Sequence, residues 1–131
     1  MILAILAAIA IPKFHDLADN SREGSTKGSL SSVRSALQLY YGDTGGRFPT
    51  DTLECLTLNA KYLVQVPLAR TKNTGHEVSS NVAVALLDGP GWLYANDPAS
   101  TATWGNFAVN CTHEDEKGQS SDSIYSPWST F

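Results

Sequence analysis

The chain opens on eleven residues without one polar side chain, MILAILAAIAI at positions 1–11, and Pro12 follows at once. Such a run restricts what the rest can become. Spanning a bilayer takes about 20 apolar residues, so the run alone falls short. Ala8-Ile9-Ala10 fits the small-x-small rule of a signal-peptide cleavage site, but no positively charged segment precedes it. An ordered helix made of these residues has to be buried in a bilayer, in detergent or among copies of itself.

The helical pattern continues past Pro12, although a proline inside a helix removes one ladder hydrogen bond and kinks the axis. Phe14, Leu17 and Ala18 share a stripe, and Leu30, Val33, Leu37 and Tyr40 recur at spacings of three and four. Gly45-Gly46 supplies a stop. The pattern predicts one helix of about 42 residues, roughly 63 Å long at 1.5 Å per residue. A single domain of 131 residues has a radius of gyration of about 14 Å, so the N-terminal half is expected to project from the body. The middle, residues 20–32, is rich in Ser with Gly24 and Gly28. Its small residues at 24, 25, 28 and 32 either admit a neighbouring backbone or form a solvated face.

Beyond the helix, Arg47-Phe48-Pro49-Thr50 reads as an extended link. Asp51 with Glu54 resembles an N-cap and its partner, opening a short helix to about Leu58. From Asn81 the period changes to two, with Val82, Val84 and Leu86 alternating. Asp88-Gly89-Pro90-Gly91 is turn chemistry and Trp92-Leu93-Tyr94 begins a return strand. A third strand is expected over 103–111, a polar loop over 112–123 and a short last strand over 124–128. The expectation is one α+β domain. A long helix (1–44, with 1–18 the apolar assembly or membrane segment) precedes a connecting loop with a short helix (45–80). An antiparallel sheet of three or four strands with a C-terminal loop (81–131) then packs on the helix.

Composition narrows the function. The chain is 42% hydrophobic and 17% charged with a net charge of -4, and no stretch is densely basic, so no nucleic-acid partner is expected. Cys55 and Cys111 form no Cys-x-x-Cys, which removes the ligands of a thioredoxin-type site, a zinc ribbon or attached haem. They are either one structural disulfide, conditional on export to an oxidising compartment, or two buried thiols. His15, His76 and His113 are scattered without ligand spacing and read as surface residues. No nucleophile elbow, P-loop or dinucleotide fingerprint occurs, so no enzyme activity is expected. Asn110-Cys111-Thr112 matches a glycosylation sequon.

Leu6-Ala7-Ala8-Ile9-Ala10-Ile11-Pro12-Lys13-Phe14 is very similar to the end of the apolar segment of type IV pilins and type II secretion pseudopilins. Val33-Arg34-Ser35-Ala36-Leu37, Tyr40-Tyr41, Asp43-Thr44 and Phe48-Pro49 resemble the same helix running into its loop. Gly91-Trp92-Leu93-Tyr94, Val109-Asn110-Cys111-Thr112 and Lys117-Gly118 resemble the C-terminal sheet of a branch related to the major pseudopilin. The resemblance implies the type IV pilin fold and a structural subunit of a helical filament. That filament would be a pilus at the cell surface or a pseudopilus in the periplasm. Its partners would be further copies of itself, the inner membrane before assembly, the pilus or secretion machinery and a prepilin peptidase. Assembly would run through Ile2, Leu3, Ile5, Leu6, Ile9, Ile11, Pro12 and Phe14. Pseudopilins often bind calcium in the region of Glu114, Asp115, Glu116 and Asp122, which makes Asp115, Glu116 and Asp122 candidate Ca²⁺ ligands here, beside the plain reading of a solvated acidic loop. One departure stands out: relatives carry about ten further residues before the apolar run, including the peptidase site, the methylated Phe and a buried Glu, so the expected mature N-terminus is incomplete. The competing expectation is a membrane-anchored or secreted binding module without enzymatic activity.

Overall fold

The computed structural model describes residues 2–71 and 75–113, with backbone alone for 10–16, 19 and 20. The architecture is α+β. Helix α1 (Ile2–Asp43) comes first, then a single turn of helix α2 (Glu54–Thr57) that runs into a 3₁₀ turn (Leu58–Ala60). Three short strands follow, β1 (Val82–Ala83), β2 (Trp92–Tyr94) and β3 (Phe107–Val109).

The buried stripe of α1 is Glu23, Thr26, Leu30, Val33 and Leu37, with Ala36 beside it, which carries the spacing of three and four down to Tyr40. Leu30, Val33, Ala36 and Leu37 share one core cluster with Leu53, Leu56, Trp92, Tyr94, Phe107, Val109 and Cys111. Trp92 and Phe107 stack with centroids 5.0 Å apart. Arg34 adds a polar clamp: its Nε and Nη2 donate to the Phe107 carbonyl at 3.0 and 2.7 Å. Thr26 fastens a loop further up the helix, its hydroxyl donating to the Arg70 carbonyl (2.7 Å) and accepting from the Arg70 N–H (2.9 Å). The Ser/Gly-rich middle of α1 is therefore bound to the body at Thr26. At Gly24 and Gly28, by contrast, an added Cβ would meet nothing within 4 Å.

The sheet, in the order β1-β2-β3, is mixed rather than the expected antiparallel one. β2 and β3 are antiparallel, pairing Trp92 with Val109 and Tyr94 with Phe107, whereas β1 runs parallel to β2 through Val82–Trp92 and Ala83–Leu93. The reason lies in the 87–91 turn, which does not fold back on β1. Asn110, at the end of β3, holds it instead: its carbonyl accepts the Gly89 N–H (2.8 Å) and its side-chain oxygen accepts the Leu87 N–H (3.0 Å). Val84 and Leu86, expected to continue an alternating strand, consequently leave the sheet half-exposed. β3 is also shorter than the predicted 103–111, because the Thr103, Trp104 and Asn106 N–H groups close turns on Ser100 and Thr103 carbonyls. The last strand expected over 124–128 lies outside the described residues.

The short helix starts where the sequence placed it, with a different cap. Asp51 accepts the N–H groups of Leu53 and Cys55, both at 3.0 Å, while Glu54 meets the Thr52 hydroxyl rather than closing a reciprocal box. Leu53, at φ 70°, absorbs the turn and is fully buried.

Candidate functional site

Two features carry functional content, one apolar and one polar. The apolar one is the start of α1. Ile2, Leu3, Ile5, Leu6 and Ile9 are 58–84% exposed, and Leu17 is 67% exposed. Five large aliphatic side chains within two helical turns form a contiguous exposed apolar surface, which soluble monomers seldom present. No helix among the described residues is long and apolar enough to cross a membrane. The side chains of Ile11, Pro12 and Phe14 lie outside the described residues, as do Glu114, Asp115, Glu116 and Asp122 of the calcium expectation.

The polar feature was not legible as a site in the sequence. His76, Asp88, Cys111 and His113 converge so that one donor atom from each lies within 4.8 Å of the other three. His76 comes from the loop that the Ala69–Ser79 bridge ties down, and Asp88 from the turn gripped by Asn110. Cys111 and His113 follow directly from β3. Asp88 Oδ1 lies 3.4 Å from His76 Nε2 and 3.3 Å from His113 Nδ1, and Cys111 Sγ lies 3.4 Å from the same His113 Nδ1. The two imidazoles meet edge to face with centroids 5.1 Å apart. His76 is 14% exposed at its side chain and Cys111 is fully buried.

Asp88 occupies left-handed backbone at φ 51°, a conformation an Asp tolerates better than most residues, and the turn aims its carboxylate inward. The Thr112 backbone N–H donates to Oδ1 at 2.8 Å, and this bond first, then the Thr112 side chain and the neighbouring His113 and His76 imidazoles, holds the carboxyl down to about 2. Burial pushes the Cys111 thiol up, opposed by the His113 backbone N–H.

The sequence expectation of a Cys55–Cys111 bridge is not met, since both cysteines are free. The folding of α2 turns Cys55 toward Asp51, its Sγ 3.5 Å from Oδ1, whereas Cys111 leaves β3 toward His113. Of the three histidines read as scattered, His76 and His113 are brought together by the fold, and the side chain of His15 lies outside the described residues. The sole local signal was Cys111-x-His113, and His76 and Asp88 join it through the parallel turn-back of residues 84–91 that the strand pattern did not reveal. The sequon asparagine is closed off: Asn110 is 3% exposed, with its side-chain oxygen already bound to the Leu87 N–H.

No protein-family model, no curated protein and no solved structure matches the chain.

Proposed function

We propose that this chain is a structural subunit of a helical filament, either a type IV pilus or a type II secretion pseudopilus, and that it assembles through the apolar start of α1. The observation that carries the reading is the exposure of Ile2, Leu3, Ile5, Leu6 and Ile9 on a helix whose first buried side chain, among the described residues, is Glu23. Burying five such side chains contributes on the order of ten kcal/mol per subunit, before the costs of association. An apolar segment with that much to gain waits in the inner membrane and leaves it only for equivalent helices of other subunits. Head-to-tail contacts that do not close into a ring propagate as a helix.

In this reading the fold is that of a type IV pilin, a projecting helix kinked near Pro12 on a small sheet. Pro12 marks a point where α1 lacks one ladder bond and loosens as subunits enter the fibre. The open surface at Gly24 and Gly28 suits close approach by a neighbouring subunit. Prepilin peptidase and the pilus or secretion machinery are the partners that such a subunit requires.

Ala8 lies on the exposed apolar face, where an arginine would have to be buried unpaired in the fibre core. Ala8→Arg is expected to abolish filaments sheared from cells while the soluble body retains its near-ultraviolet circular dichroism. Normal fibres from this variant would overturn the proposal, as would a wild-type chain that stays monomeric in detergent and is absent from every sheared fraction.

A further inference from the structure

We propose that His76, Asp88, Cys111 and His113 bind one divalent transition-metal ion of the Zn²⁺ class, a structural site that ties the 75–79 loop and the 87–91 turn to the end of β3. The proposal is independent of filament assembly, since all four residues belong to the globular body.

The spacing of the donor atoms carries it. Charge-assisted hydrogen bonds between an imidazole and a carboxylate close to about 2.7–2.9 Å. The two His–Asp separations are 3.4 and 3.3 Å, and the Cys–His separation is 3.4 Å. The two His–Asp values are long for such bonds, while the Cys–His value is ordinary for a contact to sulfur. All three lie close to the edges of a tetrahedron of ligands around zinc: with metal–ligand bonds of about 2.1 Å the N···O edge is about 3.4 Å, and with Zn–S of about 2.3 Å the N···S edge is about 3.6 Å. Each donor atom lies within 4.8 Å of the other three, which leaves a small compliance to be taken up on binding.

The chemistry of the set selects the ion. Two imidazoles and a thiol are poor ligands for Ca²⁺ or Mg²⁺, which take oxygen, and suit zinc and its neighbours. Four protein ligands complete a closed tetrahedral shell without an open position for water or substrate, the arrangement of a structural site rather than a catalytic one.

The scaffold holds the ligands from outside, as metal ligands commonly require. Asn110 fixes the turn that presents Asp88 through its bonds to Leu87 and Gly89, and the Thr112 N–H orients the Asp88 carboxylate. β3 pairing to β2 sets the place of Cys111, which is fully buried at the end of the core. Metal bound here would link three segments distant in sequence, and its binding energy would add to folding.

The test uses the full-length chain in detergent, stripped with a chelator and titrated first with CoCl₂, then with ZnCl₂. The expected result is one equivalent of Co²⁺ with the intense visible absorption of a tetrahedral site and a thiolate-to-cobalt charge-transfer band, both erased by ZnCl₂. His76→Ala and His113→Ala are each expected to weaken Zn²⁺ binding by at least about tenfold. Cys111→Ser should remove the charge-transfer band, and Cys55→Ser should leave binding unchanged. Should Cys111→Ser fail to fold, the thiolate-to-cobalt band in Cys55→Ser, where Cys111 is the one thiol left, supplies the same information. Saturable binding that survives in both histidine variants would overturn the site, as would a weak octahedral cobalt spectrum or no stoichiometric uptake by the wild-type chain.

Discussion

Tyr94, on the central strand, donates its hydroxyl hydrogen to the carbonyl of Pro49 at 2.7 Å, and both residues are fully buried. Pro49 stands in the link that leaves α1, so this single bond joins the end of the helix to the middle of the sheet. The Trp104 indole N–H reaches the same carbonyl at 3.3 Å and is too long to replace it in full. Tyr94→Phe keeps the ring and removes the donor. Equilibrium denaturation should show a loss of about 1–2 kcal/mol with the m-value unchanged. An unchanged midpoint would mean that Trp104 alone satisfies the buried carbonyl.

The same phenol gives the fold a sensitivity to alkali. Burial pushes the Tyr94 hydroxyl well above its ordinary value, reinforced by the nearby Cys55, Asp51 and Tyr40. A group whose proton is held more tightly in the fold contributes stability that is complete below the unfolded value, about 10, and is lost as pH rises toward the folded one. Denaturation midpoints should therefore fall above pH ~10, with a slope of up to about 1.4 kcal/mol per pH unit from this group. Tyr94→Phe should flatten that part of the profile while leaving the neutral region offset but parallel.

Two glycines separate backbone requirement from open space. Gly91 sits at φ 98°, and a Cβ there would lie 2.3 Å from the Asn81 carbonyl oxygen, which accepts the Trp92 N–H. Gly91→Ala should cost more than about 1 kcal/mol and disturb the β1–β2 register. Gly28 is helical with nothing within 4 Å, so Gly28→Ala should stabilise the isolated subunit by about 0.5–1 kcal/mol. If filament neighbours approach at Gly28, as proposed, that variant should raise the melting temperature of the subunit and lower the yield of fibres.

What the sequence revealed of this molecule follows from which signals are local. The stripe through Leu30, Val33 and Leu37 was legible because helix periodicity is written in consecutive residues, and the core of α1 falls on it. The strand at Trp92, Leu93 and Tyr94 was legible for the same reason, with Leu93 the less buried of the three. The direction of β1 was not, because it depends on Asn110 capturing the 87–91 turn across more than twenty residues. The polar cluster was hidden by that same event, since no spacing pattern places His76 and Asp88 beside Cys111. The sequence left the cysteines open between one disulfide and two buried thiols, and the fold decides by directing each thiol to a different carboxylate, Asp51 for Cys55 and Asp88, through His113, for Cys111.

Cys55 offers a check on that divergence. Burial pushes its thiol up first, and the Asp51 carboxylate, at 3.5 Å from Sγ, adds to the effect by opposing a second negative charge. The thiolate is the nucleophile, so Cys55 should react slowly with iodoacetamide near neutral pH despite its partial exposure. Asp51→Asn keeps one side-chain oxygen to accept a helix N–H and removes the charge. Alkylation at pH 7.5 should then accelerate, because removing the charge raises the thiolate fraction. A pH–rate profile separates this from unfolding of α2: removal of the charge shifts the midpoint down at a constant plateau, whereas fraying raises the plateau. An unshifted midpoint would mean that burial alone governs the thiol.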